Sequence, residues 1–116
     1  MSELITNHHQ GDVLIVTLES ENIDTTNVAD FERQLTELIS PNDYQLVLDL
    51  SKLGFISSAG LRSLLLAAKA ARRHGGDLRL ANATATVKRV FLLVGMQDIF
   101  RLFNDVPSAV SSYNQS

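Results

Sequence analysis

The 116-residue chain has no cysteine and no tryptophan, and only two prolines and six glycines. Without cysteine there is no disulfide framework, no thiolate metal site and no thiol nucleophile. With so few breakers no stretch reads as a linker, no repeat is present, and the only low-information segment is the polar tail Ser111 to Ser116. No uncharged apolar run approaches the ~20 residues needed to cross a bilayer. The first residues, MSELITNHHQGD, lack the basic start and apolar run of a signal peptide. Positive charge is not in excess either: 10 Lys+Arg stand against 13 Asp+Glu, a formal net charge of −3. That balance gives no footprint for nucleic acid, which needs clustered cations to displace phosphate counterions. What remains is an ordinary globular composition, 45% hydrophobic and 20% charged. The expectation is one domain over residues 1–116, small, soluble and cytoplasmic, with neither nucleic acid nor membrane as partner.

Hydrophobic periodicity supplies the order of elements. Leu4 to His8 is a weak strand, turned at Gly11-Asp12 into the β-branched run Val13 to Leu18, so the two can form a hairpin. A polar loop, Glu19 to Thr26, leads to an amphipathic helix from about Asn27 to Ile39, with Val28, Phe31, Leu35 and Leu38 on one side. Gln45 to Leu50 is nearly all apolar, as expected of a strand buried on both faces. The loop Ser51 to Ser57 precedes a long helix, Ser58 to His74, stopped by Gly75-Gly76. Asp77 to Ala81 is a short strand, and Thr84 or Thr86 caps a helix carrying Val87, Val90, Phe91 and Val94. Ile99 to Phe103 reads as a last short strand and Val106 to Tyr113 as a last helix. The alternation predicts an α/β fold: a mixed, mostly parallel sheet with an N-terminal hairpin, right-handed crossovers and about four helices. The working site of such a sheet lies at a strand-to-helix join.

The join Leu48 to Leu61 (LDLSKLGFISSAGL) places two serines where a buried strand hands over to a helix. One of them can be the helix cap, accepting from an orphan backbone N–H. Alternatively, a hydroxyl at a helix N-terminus can carry a phosphate, which free N–H groups and the positive dipole end stabilise. Gly60 in the first turn costs ~1 kcal/mol against alanine, and would make sense if another surface approaches closely. Asp49 at the strand end could orient the following loop or simply cap it. Asp24, before Thr25-Thr26, suits an Asx-turn or the start of a helix.

Catalytic and metal readings fail on residue types. Ile56 stands where a nucleophile elbow around Ser58 needs glycine, and the histidines, His8, His9 and His74, lie at an edge strand and a helix end. His8-His9 with Asp12 is a poor ligand set, since consecutive strand residues point to opposite faces. No phosphate loop or dinucleotide glycine pattern is present. No catalytic residue, metal or cofactor is expected.

Three stretches then carry a resemblance. LVLDLSKLGFISSAGLRSLL (Leu46 to Leu65) is similar to the buried strand, Asp-Leu-Ser turn, aromatic and Ser-x-Gly-Leu helix start of the STAS domain family, named for sulfate transporters and anti-sigma factor antagonists. VKRVFLLVGMQDIF (Val87 to Phe100) resembles its helix ending in Gly-[Leu/Met]-x-x-[Ile/Leu]-Phe, and NIDTTNVADFERQL (Asn22 to Leu35) its Leu-Asp-x-x-Thr-Ala helix start. The resemblance runs from Val13 to about Tyr113, and looks like the single-domain bacterial antagonists rather than a transporter tail. It implies that an anti-sigma factor with serine kinase activity phosphorylates Ser58, with Ser57 as second choice, and that a metal-dependent serine phosphatase resets the switch. The unmodified form would bind the anti-sigma factor and free the sigma factor, thereby regulating transcription. The implied partner surface comprises Asp24, Ser57, Ser58, Ala59, Gly60, Leu61 and Arg62. Two positions depart from the pattern: Ser57 replaces the usual aspartate, and Asn22-Ile23 precedes Asp24 in place of Gly-x-Leu.

The switch has a physical basis, since phosphate adds about −1.5 to −2 charge and three acceptor oxygens. Burying that charge unpaired against a partner costs several kcal/mol. Two other readings compete. In one, the chain is a constitutive subunit of a transport or signalling complex and Ser58 is only a helix cap. In the other, the same helix start holds a nucleotide or anion. A monomer is expected, because edge strands are normally protected from pairing between chains.

Overall fold

The computed structural model describes residues 3–114. In chain order the elements are β1 (Ile5–Gln10), β2 (Val13–Leu18), β3 (Asn22–Ile23), α1 (Val28–Leu38), β4 (Gln45–Asp49) and β5 (Phe55–Ile56). They continue with α2 (Ser58–Arg73), β6 (Asp77–Ala81), α3 (Ala85–Leu93), β7 (Leu102–Phe103) and α4 (Val106–Ser112). The main sheet has the order β1-β2-β4-β6-β7. Its β1–β2 hairpin is antiparallel, and β2–β4, β4–β6 and β6–β7 are parallel. The expected mixed, mostly parallel sheet with four helices is thus present.

Alternating side chains divide the core into two layers. Leu14, Val16, Leu46, Leu48, Leu78 and Leu80 face α1, α2 and α3, whose Phe31, Leu35, Leu64, Ala67, Val87 and Phe91 complete the larger cluster. Val13, Ile15, Val47 and Ala81 point the other way and are covered by Ala109 and Val110 of α4. The three crossover helices therefore share one face, as right-handed crossovers along a sheet that advances in one direction require. Helix α4 is tied down by Tyr113, whose hydroxyl oxygen lies 2.7 Å from the carbonyl oxygens of both Leu46 and Asp77 and has one proton to donate to them.

Several boundaries differ from the sequence expectation. Strand β1 runs on to Gln10, because backbone pairing with Val13 continues to the turn. Strand β4 stops one residue short of Leu50, whose N–H is drawn instead to Ala81 O at 2.9 Å. Strand β7 shrinks to Leu102–Phe103, since the parallel partner β6 ends opposite them at Ala81. Thr84, not Thr86, caps α3 by accepting from Val87 N–H. The glycine pair after α2 has two separate reasons. Gly75 takes a left-handed φ of +89° to end the helix, and a Cβ on Gly76 would lie 1.7 Å from Tyr44 O.

Candidate functional site

The expected loops Glu19 to Thr26 and Ser51 to Ser57 each contain a two-residue strand, β3 and β5, and these pair in parallel as a second small sheet. Glu21 O accepts from Gly54 N–H at 2.7 Å, and Ile23 O accepts from Ser57 N–H at 2.8 Å. The pairing register sets Ile23 opposite Ile56, so the next residues, Asp24 and Ser57, leave the small sheet side by side. Each leads into a helix, α1 and α2. Sequence positions 24 and 57, more than thirty residues apart, thus meet at one junction.

Ser57 is the N-cap of α2: its Oγ accepts from Gly60 N–H at 3.1 Å. Ser58 is the first helical residue and is exposed. This corrects the reading in which Ser58 is the cap. Its hydroxyl makes no hydrogen bond among the described residues, so the fold uses one serine and leaves the other free. No acidic residue lies in the first turn of α2, and the dipole end there is not neutralised by the helix itself.

Gly60 and Leu61 are buried, and Ala59 is half-buried. A Cβ on Gly60 would lie 2.7 Å from Ile56 Cγ1 and 2.8 Å from Ile23 Cγ2. The close approach expected at Gly60 is therefore made by the chain's own small sheet, not by a visiting surface. Of the seven residues expected at the partner surface, Ser58 and Arg62 are exposed, Asp24, Ser57 and Ala59 are partly so, and Gly60 and Leu61 serve packing.

Asp24 forms an Asx-turn: its carboxylate accepts from Thr26 Oγ1 at 2.5 Å and Thr26 N–H at 2.9 Å. Those bonds, the hydroxyl's first, hold its pKa below the usual carboxylate range. Its backbone carbonyl also accepts from Val28 N–H at 2.9 Å, opening α1. Asp49 accepts from Ser51 N–H at 3.0 Å and Asn82 Nδ2 at 3.1 Å, orienting the loop below β5. Lys52 pairs with Glu19, which Thr6 Oγ1 also contacts at 2.7 Å.

Two features of the site were not read from sequence. Phe55 projects outward, 49% exposed, while its neighbour Ile56 turns inward; two residues are too few for an alternation to be read from sequence. The hydroxyl of buried Ser63 lies 2.9 Å from Glu32 Oε1 and 3.2 Å from Ala59 O, and its one proton is shared between these acceptors, joining the first turn of α2 to α1. A serine in a leucine-rich stretch gives no sign of such a partner.

The other candidates stay apart from this junction. His9 Nε2 lies 2.7 Å from Asp43 Oδ1, and His74 is the C-cap of α2. Among the described residues no group of three His, Asp or Glu side chains could hold a metal ion. A cavity of about 400 Å³ lined by His9, Asp12, Asp43 and Tyr44 opens near Gln45, where β4 begins. It is at the opposite end of the sheet from Ser58. No helix among the described residues is long and apolar enough to cross a membrane.

Comparison with known proteins gives a consistent result. The STAS domain family model matches residues 5–109. BtrV of Bordetella bronchiseptica, whose name makes it a putative anti-sigma factor antagonist, is 34% identical over 91 residues, 78% of each chain. The anti-sigma-F factor antagonist RsfB of Mycobacterium tuberculosis is 30% identical over 106 residues, 89% of this chain and 82% of its own. The structure of an anti-sigma-factor antagonist domain protein from Planctomyces limnophilus superposes with a TM-score of 0.88 over 96% of this chain and 98% of its own, at 13% identity.

Proposed function

The chain belongs to the STAS domain family, and from that premise we propose that it is an anti-sigma factor antagonist switched by phosphorylation of Ser58. The unmodified chain binds an anti-sigma factor with serine kinase activity and so releases a sigma factor. Phosphate on Ser58 ends that binding, and a metal-dependent serine phosphatase restores it. The chain acts by binding, in the cytoplasm, and carries out no chemistry of its own. The names of BtrV and RsfB support the partner class.

The observation that carries the reading is the division between the two serines. Ser57 is occupied as the cap, whereas Ser58 is exposed at the first helical position with an unused hydroxyl. A kinase can reach it without opening the fold. A phosphate there gains from the N-terminal N–H groups while the chain is free. Against a partner it becomes a buried dianion, and moving a complex from mostly bound to mostly free needs about 5.5 kcal/mol of differential affinity. One desolvated phosphate is of that order.

The test is phosphosite mapping of protein from native cells, with Ser58→Ala and Ser58→Asp in binding assays. Mono-phosphorylation at Ser58, binding by Ser58→Ala and release by Ser58→Asp are expected. Phosphate on Ser57 alone would move the switch one residue back. Equal binding by both variants would leave the chain a constitutive subunit.

A further inference from the structure

We propose that the outward faces of α2 and α3 form one basic, apolar-anchored docking surface, and that the protein partner presents acidic residues to it. This rests on the partner-switching reading of Ser58 and names the chemistry of that partner.

The charges of the chain are segregated. Among the described residues Arg33, Lys52, Arg72 and Arg79 have ion-pair partners, and Arg101 lies over the Phe103 ring. The remaining five cations, Arg62, Lys69, Arg73, Lys88 and Arg89, are exposed, have no ion-pair partner among the described residues and all lie on α2 or α3. Neither helix carries a single Asp or Glu, although the chain as a whole has a net charge of −3. Arg73 is explained by the C-terminal dipole of α2. The other four sit outside any last turn, so helix stability does not require them.

Apolar exposure collects in the same layer. Leu92 is 61% and Leu93 76% exposed, and Leu66 of α2 is also uncovered. Lys88 and Arg89 precede Leu92 and Leu93 by four residues each, so the cations and the leucines share one stripe of α3. Val87 and Phe91 form the buried stripe on the other side. Scattered exposed leucines are ordinary, but adjacent ones beside unpaired cations match the anchor and rim of a protein interface.

Charge decides the occupant. A second copy pairing about a two-fold axis would bring Lys88 and Arg89 of both chains together with no acid on either helix. An acidic partner meets no such repulsion. The α2 half of the surface carries the switch: Ser58 and Arg62 are one turn apart on α2. A phosphate on Ser58 would place negative charge on the edge of this basic face and repel the same partner.

The experiment uses the anti-sigma factor retained by Ser58→Ala, with affinities measured at low and high salt. The double variant K88E/R89E is expected to bind about tenfold more weakly and to lose much of the salt dependence. L92S/L93S is expected to weaken binding with the salt dependence kept, and both variants should melt like the wild type. Wild-type affinity in both variants, while Ser58→Asp still releases, would overturn the surface and leave the switch standing. Failure of Ser58→Asp to release would instead overturn the function on which it rests. Co-sedimentation of the wild type, but not K88E/R89E, with phosphatidylcholine–phosphatidylserine vesicles would reassign the face to an anionic membrane and overturn the proposal.

Discussion

Replacing the two serines separately by alanine should split stability from switching. Ser57 Oγ accepts from Gly60 N–H at 3.1 Å, and Gly60 is buried, so water cannot readily take the lost acceptor's place. Removing an N-cap serine costs typically about 1 kcal/mol, with a range of about 0.5–2; the burial of the orphaned donor argues for the upper half. At about 2.1 cal/mol/K per residue, a chain of this length unfolds with an entropy near 0.24 kcal/mol/K. A loss of about 1.5 kcal/mol then lowers Tm by roughly 6 °C. Ser58→Ala removes no hydrogen bond made by the described residues, and an exposed substitution of that kind stays within about 0.5 kcal/mol. Thermal melts followed by circular dichroism, with urea titrations, measure both. Threonine or aspartate at position 57 should recover most of the loss, since each can cap. Equal destabilisation by the two alanines, or a larger one at Ser58, would refute the assignment of Ser57 as cap.

Gly60→Ala should cost about 1–3 kcal/mol by overpacking, because its Cβ would lie 2.7 Å from Ile56 Cγ1 and 2.8 Å from Ile23 Cγ2, atoms held next to the branched Cβ of two buried side chains; in the same melts G60A and I56A, which removes the clashing Cγ1, should cost less together than the sum of the two single variants. Gly76→Ala meets the Tyr44 backbone rather than a side chain, so it should be the worse of the two glycine replacements, read as loss of soluble folded protein on expression. Tyr113→Phe removes the one hydroxyl donor shared by the Leu46 and Asp77 carbonyls, which keep their places in the β4–β6 ladder, and should cost about 0.5–1.5 kcal/mol. Burial, then the nearby Asp77 charge, pushes the Tyr113 phenol above its ordinary value of 10.0. The unfolded chain therefore loses that proton first, so wild-type stability declines as pH rises past that value, whereas Tyr113→Phe should show a shallower decline in alkaline denaturation curves. Ser58→Asp should melt at or slightly above the wild type, by the roughly 0.3–1 kcal/mol that a carboxylate gains at a helix N-terminus; a clear fall in Tm would mean that charge there disturbs the fold.

The long elements were legible because they carry many periods of one pattern. Val13 to Leu18 and Gln45 to Asp49 are apolar on both faces, and both faces are in fact covered, one by α1 to α3 and the other by α4. The two-residue strands were not legible, since two residues hold no periodicity and their pairing depends on a partner over thirty positions away. The same limit applied at the serines. Either hydroxyl satisfies the preference for a cap, and only the turn geometry, with the N–H of Gly60 aimed at Ser57, separates them. Gly60 was noticed for the right reason, a close approach, but the approaching atoms belong to Ile23 and Ile56. A sequence read along the chain assigns such contacts to outsiders when the inside partners sit in strands too short to be recognised.

That small sheet explains why the site can be exposed and still well defined. A free helix start frays, because its first N–H groups have no partners within the helix. Here the backbone just before α2 is clamped by Ile23 O, the first turn is capped by Ser57, and Ser63 ties Ala59 O to Glu32 of α1. All of these bonds run through neighbours of Ser58 and none through its own side chain. A modification of Ser58 therefore changes the charge of the surface without removing any contact that holds the surface in place. The proposed switch would therefore need no second conformation, since phosphate on Ser58 would leave every one of these bonds in place and change only the charge that the partner meets.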